Sequence, residues 1–113
     1  MNFDYYAKVP TAVTNEPRLY PEEKAILIYL LSFRRAAYPS VTAIVNATGM
    51  APKTVRKYLN SLRAANVMTW RRGNSTRPNE YSLCPVDAWR LDTPERTRRV
   101  GLDEAQDALQ TPD

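Results

Sequence analysis

The sequence predicts an α+β fold, mainly α: a three-helix core and a β-hairpin, with an N-terminal arm and a C-terminal extension. Three observations carry that expectation. Apolar residues recur at helical spacing in three consecutive blocks between Pro21 and Ala65. Proline stands where two of those helices would begin, Pro21 and Pro52, and its fixed φ suits the first helical position. After the last block, two short β-prone runs flank a polar loop, the pattern of a hairpin. The chain has 113 residues, enough for one domain. The expected organisation is an arm over 1–20, a domain over 21–84 and an extension over 85–113, partly helical or disordered.

Tyr5, Tyr6, Val9 and Val13 alternate with turn formers such as Pro10 and Pro17, so residues 1–20 read as an extended arm with one short strand. The first helix is expected over 21–34. Glu22 and Glu23 suit the positive end of its dipole, and Ala25, Ile26, Leu27, Ile28, Leu30, Leu31 and Phe33 make it apolar on most faces, as for a central core helix. Arg34 and Arg35 end it, and Tyr38-Pro39 breaks the chain.

Ser40 then reads as the N-cap of a short helix reaching Thr48, with Val41, Ile44 and Val45 turned to the core. Gly49 stops it in the left-handed conformation that glycine favours. The next helix is expected over about 52–65. Its core stripe is Val55, Tyr58, Leu59 and Leu62; at about 100° per residue, Lys53, Lys57 and Asn60 fall opposite, flanked by Thr54, Arg56 and Ser61. A strand over 66–72, a turn-rich loop over 73–79 and a return strand over 80–84 follow, ended by Pro85. Beyond it, Val86, Trp89 and Leu91 can pack back on the body, Thr93-Pro94-Glu95 is a helix start, and residues 102–109 form a second helical stretch.

The charge is sorted along the chain. Residues 34–79 carry nine cations (Arg34, Arg35, Lys53, Arg56, Lys57, Arg63, Arg71, Arg72 and Arg77) and no acid, whereas residues 80–113 carry four cations against eight acids. An acid-free basic block is the electrostatic footprint of a polyanion site, set against the plainer reading of a solvated face whose counter-charges lie elsewhere in the fold.

Inventory excludes other chemistries. The chain has no histidine and one cysteine, Cys84, which rules out Ser-His-Asp and Cys-His catalysis, an internal disulfide and a cysteine-rich metal site. Nor is there a phosphate-cradling glycine-rich loop. Adjacent Glu22 and Glu23 diverge by about 100° and make no paired-carboxylate site. No enzymatic activity, cofactor or metal is expected. No run approaches the roughly 18 apolar residues that span a bilayer, and no signal peptide is evident, so a cytoplasmic protein without membrane contact is expected.

Helix, short helix, glycine turn, amphipathic helix with a basic outer face, then hairpin with a basic tip is the layout of a winged helix-turn-helix. A B-DNA major groove admits one helix, and the helix over 52–65 would enter it N-terminus first. Lys53, Arg56 and Lys57 would meet phosphate. Asn60 can pair with adenine or simply face solvent. Thr54 can touch phosphate or cap local backbone, and Ser61 and Ser40 complete that set. Arg71, Arg72 and Arg77 would act as wing contacts in a narrow, electronegative groove, against the alternative that they blunt an edge strand. Trp70 and Tyr81 are assigned to core packing rather than base stacking, and Cys84 to the interior as a small hydrophobe.

Tyr38-Pro39-Ser40, the run from Thr48-Gly49 through Pro52-Lys53-Thr54-Val55 to Tyr58-Leu59, then Leu62, Asn66-Val67, Arg72-Gly73 and Asn79-Glu80-Tyr81 are ordered and spaced as in a bacterial and phage winged-helix family. Val9-Pro10 and Glu23-Lys24 fit it too. The resemblance spans roughly residues 5–84. Its members include the N-terminal domains of plasmid and phage replication initiators and small regulators of mobile elements. Initiators usually carry a further domain after the winged helix, whereas about thirty residues follow it here, a departure that counts against the initiator role and leaves the DNA-binding role intact.

The expected function is sequence-specific double-stranded DNA binding, as a transcriptional regulator of a phage, plasmid or other mobile element. A replication-origin or partition accessory, and a winged-helix protein-interaction module without DNA contact, remain alternatives. One such domain seldom gives high specificity, so a homodimer or tandem binding on repeated sites is expected, with Trp89, elsewhere in 86–110, or the N-terminal arm supplying the contact.

Overall fold

The computed structural model describes residues 9–33, 39–98 and 100. The expected contributions of Tyr5, Tyr6, Arg34, Arg35 and Tyr38, and the helical stretch over 102–109, lie outside them. The elements are α1 (Thr11–Thr14), α2 (Pro21–Leu31), α3 (Val41–Thr48), α4 (Pro52–Ala64), β1 (Met68–Arg71) and β2 (Glu80–Leu83), then a 3-10 turn at Val86–Ala88 and a helical segment over 94–98.

The arm differs from expectation. Where a strand was expected, Pro10 starts the single turn α1, and Lys24 Nζ donates to Thr14 O at 3.1 Å, fastening that turn to α2. Val13 and Leu19 are fully buried, so this stretch is part of the core rather than an appendage to it. Pro10 caps the turn from outside, where its missing N–H costs nothing, and Thr11–Thr14 follows as one helical turn.

In α2, Pro21 occupies the first position and Glu23 Oε1 accepts the Tyr20 backbone N–H at 2.9 Å, half of a capping box. Ile26, Leu27 and Leu30 are buried, but Ile28 lies 41% exposed, so the helix is not enclosed all round, and Phe33, just past its end, is 38% exposed. Phe33 stands edge-on to Tyr29, ring centroids 5.4 Å apart. Ser40 caps α3 by accepting the Ala43 N–H at 3.0 Å. Gly49 ends it at φ 76°, its N–H donating to Val45 O. α4 buries Val55, Leu59 and Leu62 against Ile26, Leu27 and Ile44, each such side chain contributing about 1.5–3 kcal/mol by leaving water.

Asn66 leaves α4 at φ 58°, a conformation asparagine tolerates better than most residues. β1 and β2 pair antiparallel with Met68 opposite Leu83, Thr69 opposite Ser82, Trp70 opposite Tyr81 and Arg71 opposite Glu80. The inner face packs Met68, Trp70, Tyr81 and Leu83 on the helices; Trp70 and Tyr81 face inward, rings 5.7 Å apart. Cys84 is half-buried rather than enclosed.

The core continues past the expected boundary at residue 84. Trp89 Nε1 donates to Cys84 O at 2.9 Å, Asn66 Nδ2 to Ala88 O at 3.0 Å, and the Arg90 N–H to Ala65 O at 2.7 Å. Leu91 is buried, while Val86 remains half exposed. Thr93 Oγ1 accepts the Arg96 N–H at the head of the 94–98 segment.

Candidate nucleic-acid interface

α3, the Gly49 turn and α4 form the helix pair, and α4 presents the basic face. Lys53, Arg56, Lys57 and Asn60 are all exposed along it, and Thr54 is half-buried at its edge. The N-cap of α4 is Ala51, which offers no side-chain acceptor, and the first turn holds no acid. Its leading N–H groups and positive dipole end are thereby left to an external anion, the arrangement that suits phosphate. Lys57 Nζ lies 5.2 Å from the centre of the Tyr58 ring. Ser40 is exposed at the head of α3, its oxygen already engaged as the cap and its proton left to donate.

Ser61 departs from its expected place. Its hydroxyl donates to Glu23 Oε2 at 2.6 Å and accepts from Arg96 Nη2 at 2.9 Å, so it is turned to the interior and occupied there. It lies on the flank of the helix that faces the C-terminal segment, which the 100° rule placed correctly but could not assign to solvent or protein.

The wing is held by asparagines rather than by apolar contact. Asn74 Oδ1 accepts the Thr76 and Arg77 N–H groups, each at 2.9 Å, and the Asn74 N–H donates to Arg77 O at 2.8 Å. Asn79 Oδ1 accepts the Gly73 N–H at 2.8 Å. Gly73 is required by space: a Cβ there would stand 2.0 Å from Arg77 O. This loop gathers Arg71, Arg72 and Arg77, all exposed, around one recess of about 390 Å³. Arg71 shares its face with Glu80 directly opposite, so it is the most tempered of the three.

Two residues that were not singled out organise the site. Arg63, counted only as part of the basic block, stacks its guanidinium on the Trp70 ring at 4.0 Å and donates to Trp70 O at 3.4 Å, tying the last turn of α4 to β1. The signal was present as a cation in the last turn of a helix that leads into a tryptophan-bearing strand. Glu23, assigned only to the helix dipole, is fully buried and grips Arg96 at 2.6 Å. Hydrogen bonding to Glu23, against the opposing effect of burial, holds the Arg96 guanidinium above its ordinary pKa. Here the sequence did carry a signal: 23, 26, 27 and 30 form one stripe, so a carboxylate sits on the core face and needs a cation.

Among the described residues no group of three or more potential ligands is placed to hold a metal, and no helix is long and apolar enough to cross a membrane. Neither the curated proteins nor the solved structures yield a match to the chain. The model of a helix-turn-helix domain family matches residues 18–67, from the turn before α2 to the residue before β1. A domain of that kind suggests DNA as the partner. With the hairpin that follows the matched span, the architecture is a winged helix-turn-helix, α+β and mainly helical.

Proposed function

We propose that this protein is a non-enzymatic, sequence-specific double-stranded DNA-binding protein that inserts α4 into the major groove and lays its arginine-bearing wing on the neighbouring groove or backbone. The observation that carries the reading is the outward face of α4. Lys53, Arg56, Lys57 and Asn60 are exposed together behind an uncapped, acid-free helix N-terminus, in a helix whose opposite face is buried. In this reading Lys53, Arg56 and Lys57 neutralise phosphate and Asn60 pairs with an adenine edge. Arg71, Arg72 and Arg77 supply the second point of attachment.

The reading extends to a transcriptional regulator of a phage, plasmid or other mobile element, acting in the cytoplasm as a homodimer or in tandem on repeated sites. Support for this comes from the family resemblance and from the modest reach of a single module, which contacts too few base pairs to single out one site in a genome.

The test is binding of the purified full chain to random-sequence and element-derived duplexes across a salt series. A steep salt dependence, with a subset of duplexes held at least about 10³-fold tighter than the rest, is expected. Absence of binding at low salt overturns the reading.

A further inference from the structure

The C-terminal segment does more than pack on the domain. Arg96, 5% exposed, sends Nη1 to Glu23 Oε1 at 2.6 Å and to Arg18 O at 2.9 Å, and Nη2 to Glu23 Oε2 at 2.7 Å and Ser61 Oγ at 2.9 Å. Ser61 closes the triangle by donating to Glu23 Oε2 at 2.6 Å. The Tyr20 ring covers the guanidinium, 4.7 Å from Cζ. Three elements thus meet at one planar fork: α2 through Glu23, α4 through Ser61, and the 94–98 segment through Arg96.

Apolar packing leaves the rotation of a helix about its own axis weakly specified, because contacts among Val55, Leu59 and Leu62 are non-directional. Hydrogen bonds are directional and fail beyond about 3.5 Å. At the tips of α4 side chains, about 5–6 Å from the axis, a 20° rotation moves a donor by about 2 Å. That displacement is enough to break a base-edge contact, while a phosphate contact through a long flexible lysine survives it. Ser61 follows Asn60 in the chain and lies one turn after Lys57, so a bond that fixes Ser61 fixes the direction of both.

We propose that Arg96 is a positioning residue for DNA recognition: through Glu23 and Ser61 it sets the rotation of α4 on α2, and with it the register of base-edge contacts. The inference rests on the DNA-binding reading above for its consequence, but the seating of α4 is independent of DNA. Buried ion pairs of this kind add little net stability over apolar packing, and their use is to select one arrangement among several. The guanidinium fork is what does so, and a lysine at the same place would keep the charge and lose the fork.

The experiment uses the full chain and a tight duplex selected by the wild-type protein from a random library. Arg96→Lys, verified as folded by circular dichroism, is compared with wild type on the selected and random duplexes across a salt series. Random-duplex affinity within about twofold and an unchanged salt slope are expected, with selected-duplex affinity down about tenfold or more. A merely structural role would lower the melting temperature and leave the ratio of the two affinities alone, which overturns the proposal. A second variant, Glu23→Met with Ser61→Ala and Arg96→Met, replaces the network by apolar groups and decides the matter if Arg96→Lys does not fold: the same loss of ratio is expected. Amide exchange over residues 57–64, measured without DNA, should accelerate relative to α3 in either variant. Unchanged exchange refutes the seating of α4 even if DNA binds. Should the wild type bind no DNA, the DNA reading falls and the exchange experiment still decides whether Arg96 seats the helix.

Discussion

The two carboxylate oxygens of Glu23 meet the two terminal nitrogens of Arg96 at 2.6 and 2.7 Å, 73 positions apart in the chain. One end of that pair lies in the first turn of α2 and the other in the segment after the wing, so the pair joins the helix-turn-helix to residues beyond the span that the helix-turn-helix domain model matches. Every described buried side-chain nitrogen and oxygen has a partner, this pair included.

Removing one member leaves the other stranded. Glu23→Ala should destabilise the fold by about 3–5 kcal/mol, since the buried guanidinium is then left without its anion and keeps only the neutral acceptors Arg18 O and Ser61 Oγ. Urea unfolding of the variant and wild type measures it. A loss below about 1 kcal/mol would show that Arg96 escapes to solvent when released.

How much of this was legible follows from which forces leave a local trace. The helices at α2, α3 and α4, the stop at Gly49 and the hairpin were written in local signals: prolines at first positions, a serine cap, apolar spacing and a polar loop. The helix ends came out shorter than expected, Leu31 rather than Arg34 and Ala64 rather than Ala65, as fraying ends do. The exposed face of α4 was readable because its angular position follows from residue number alone. What was not readable is long-range pairing. Ser61 looked like a polar flank residue because its partners are 38 and 35 positions away. α1 was missed because one turn carries no periodicity, and its burial depends on α2 and on Lys24.

A second ion pair, at the surface, predicts a pH effect of defined sign. Glu16 accepts from the Arg18 side chain at 2.8 and 3.1 Å, and this hydrogen bonding, against a smaller effect of burial, lowers its pKa from the ordinary 4.5. A carboxylate with a depressed folded pKa stabilises the fold above its unfolded value, and that contribution disappears as pH falls through the folded value. Glu16→Gln should therefore lose about 0.5 kcal/mol or less at neutral pH, small because Arg18 is 39% exposed, and nothing once the pH has fallen well below the depressed folded pKa. Melting temperatures of the two proteins should converge on acidification. A gap that widens instead would reverse the assignment.

Lys57 tests the electrostatic part of DNA binding. Its exposed ammonium lies midway along the basic face of α4. If it neutralises one phosphate, Lys57→Ala weakens binding to every sequence alike and reduces the salt slope by about 1. Isotherms at four or five salt concentrations on one random duplex suffice. An unchanged affinity and slope would place the DNA away from that part of the helix.

Gly73 tests whether the wing must hold its shape. An added methyl would press on the backbone oxygen of Arg77 at 2.0 Å and on the Pro78 backbone at 2.5 Å, and backbone cannot step aside as a flexible side chain can. The clash opens the turn in which Asn74 and Asn79 hold the loop, and so scatters Arg72 and Arg77. Because the loop is exposed and apart from the core, Gly73→Ala should cost only about 1–3 kcal/mol of stability, the range for forced overpacking. DNA affinity should fall to that of a chain in which Arg72 and Arg77 are both replaced by alanine. If the Gly73→Ala protein binds as tightly as wild type while melting lower, the arginines act as mobile charges and the wing's shape is irrelevant to recognition.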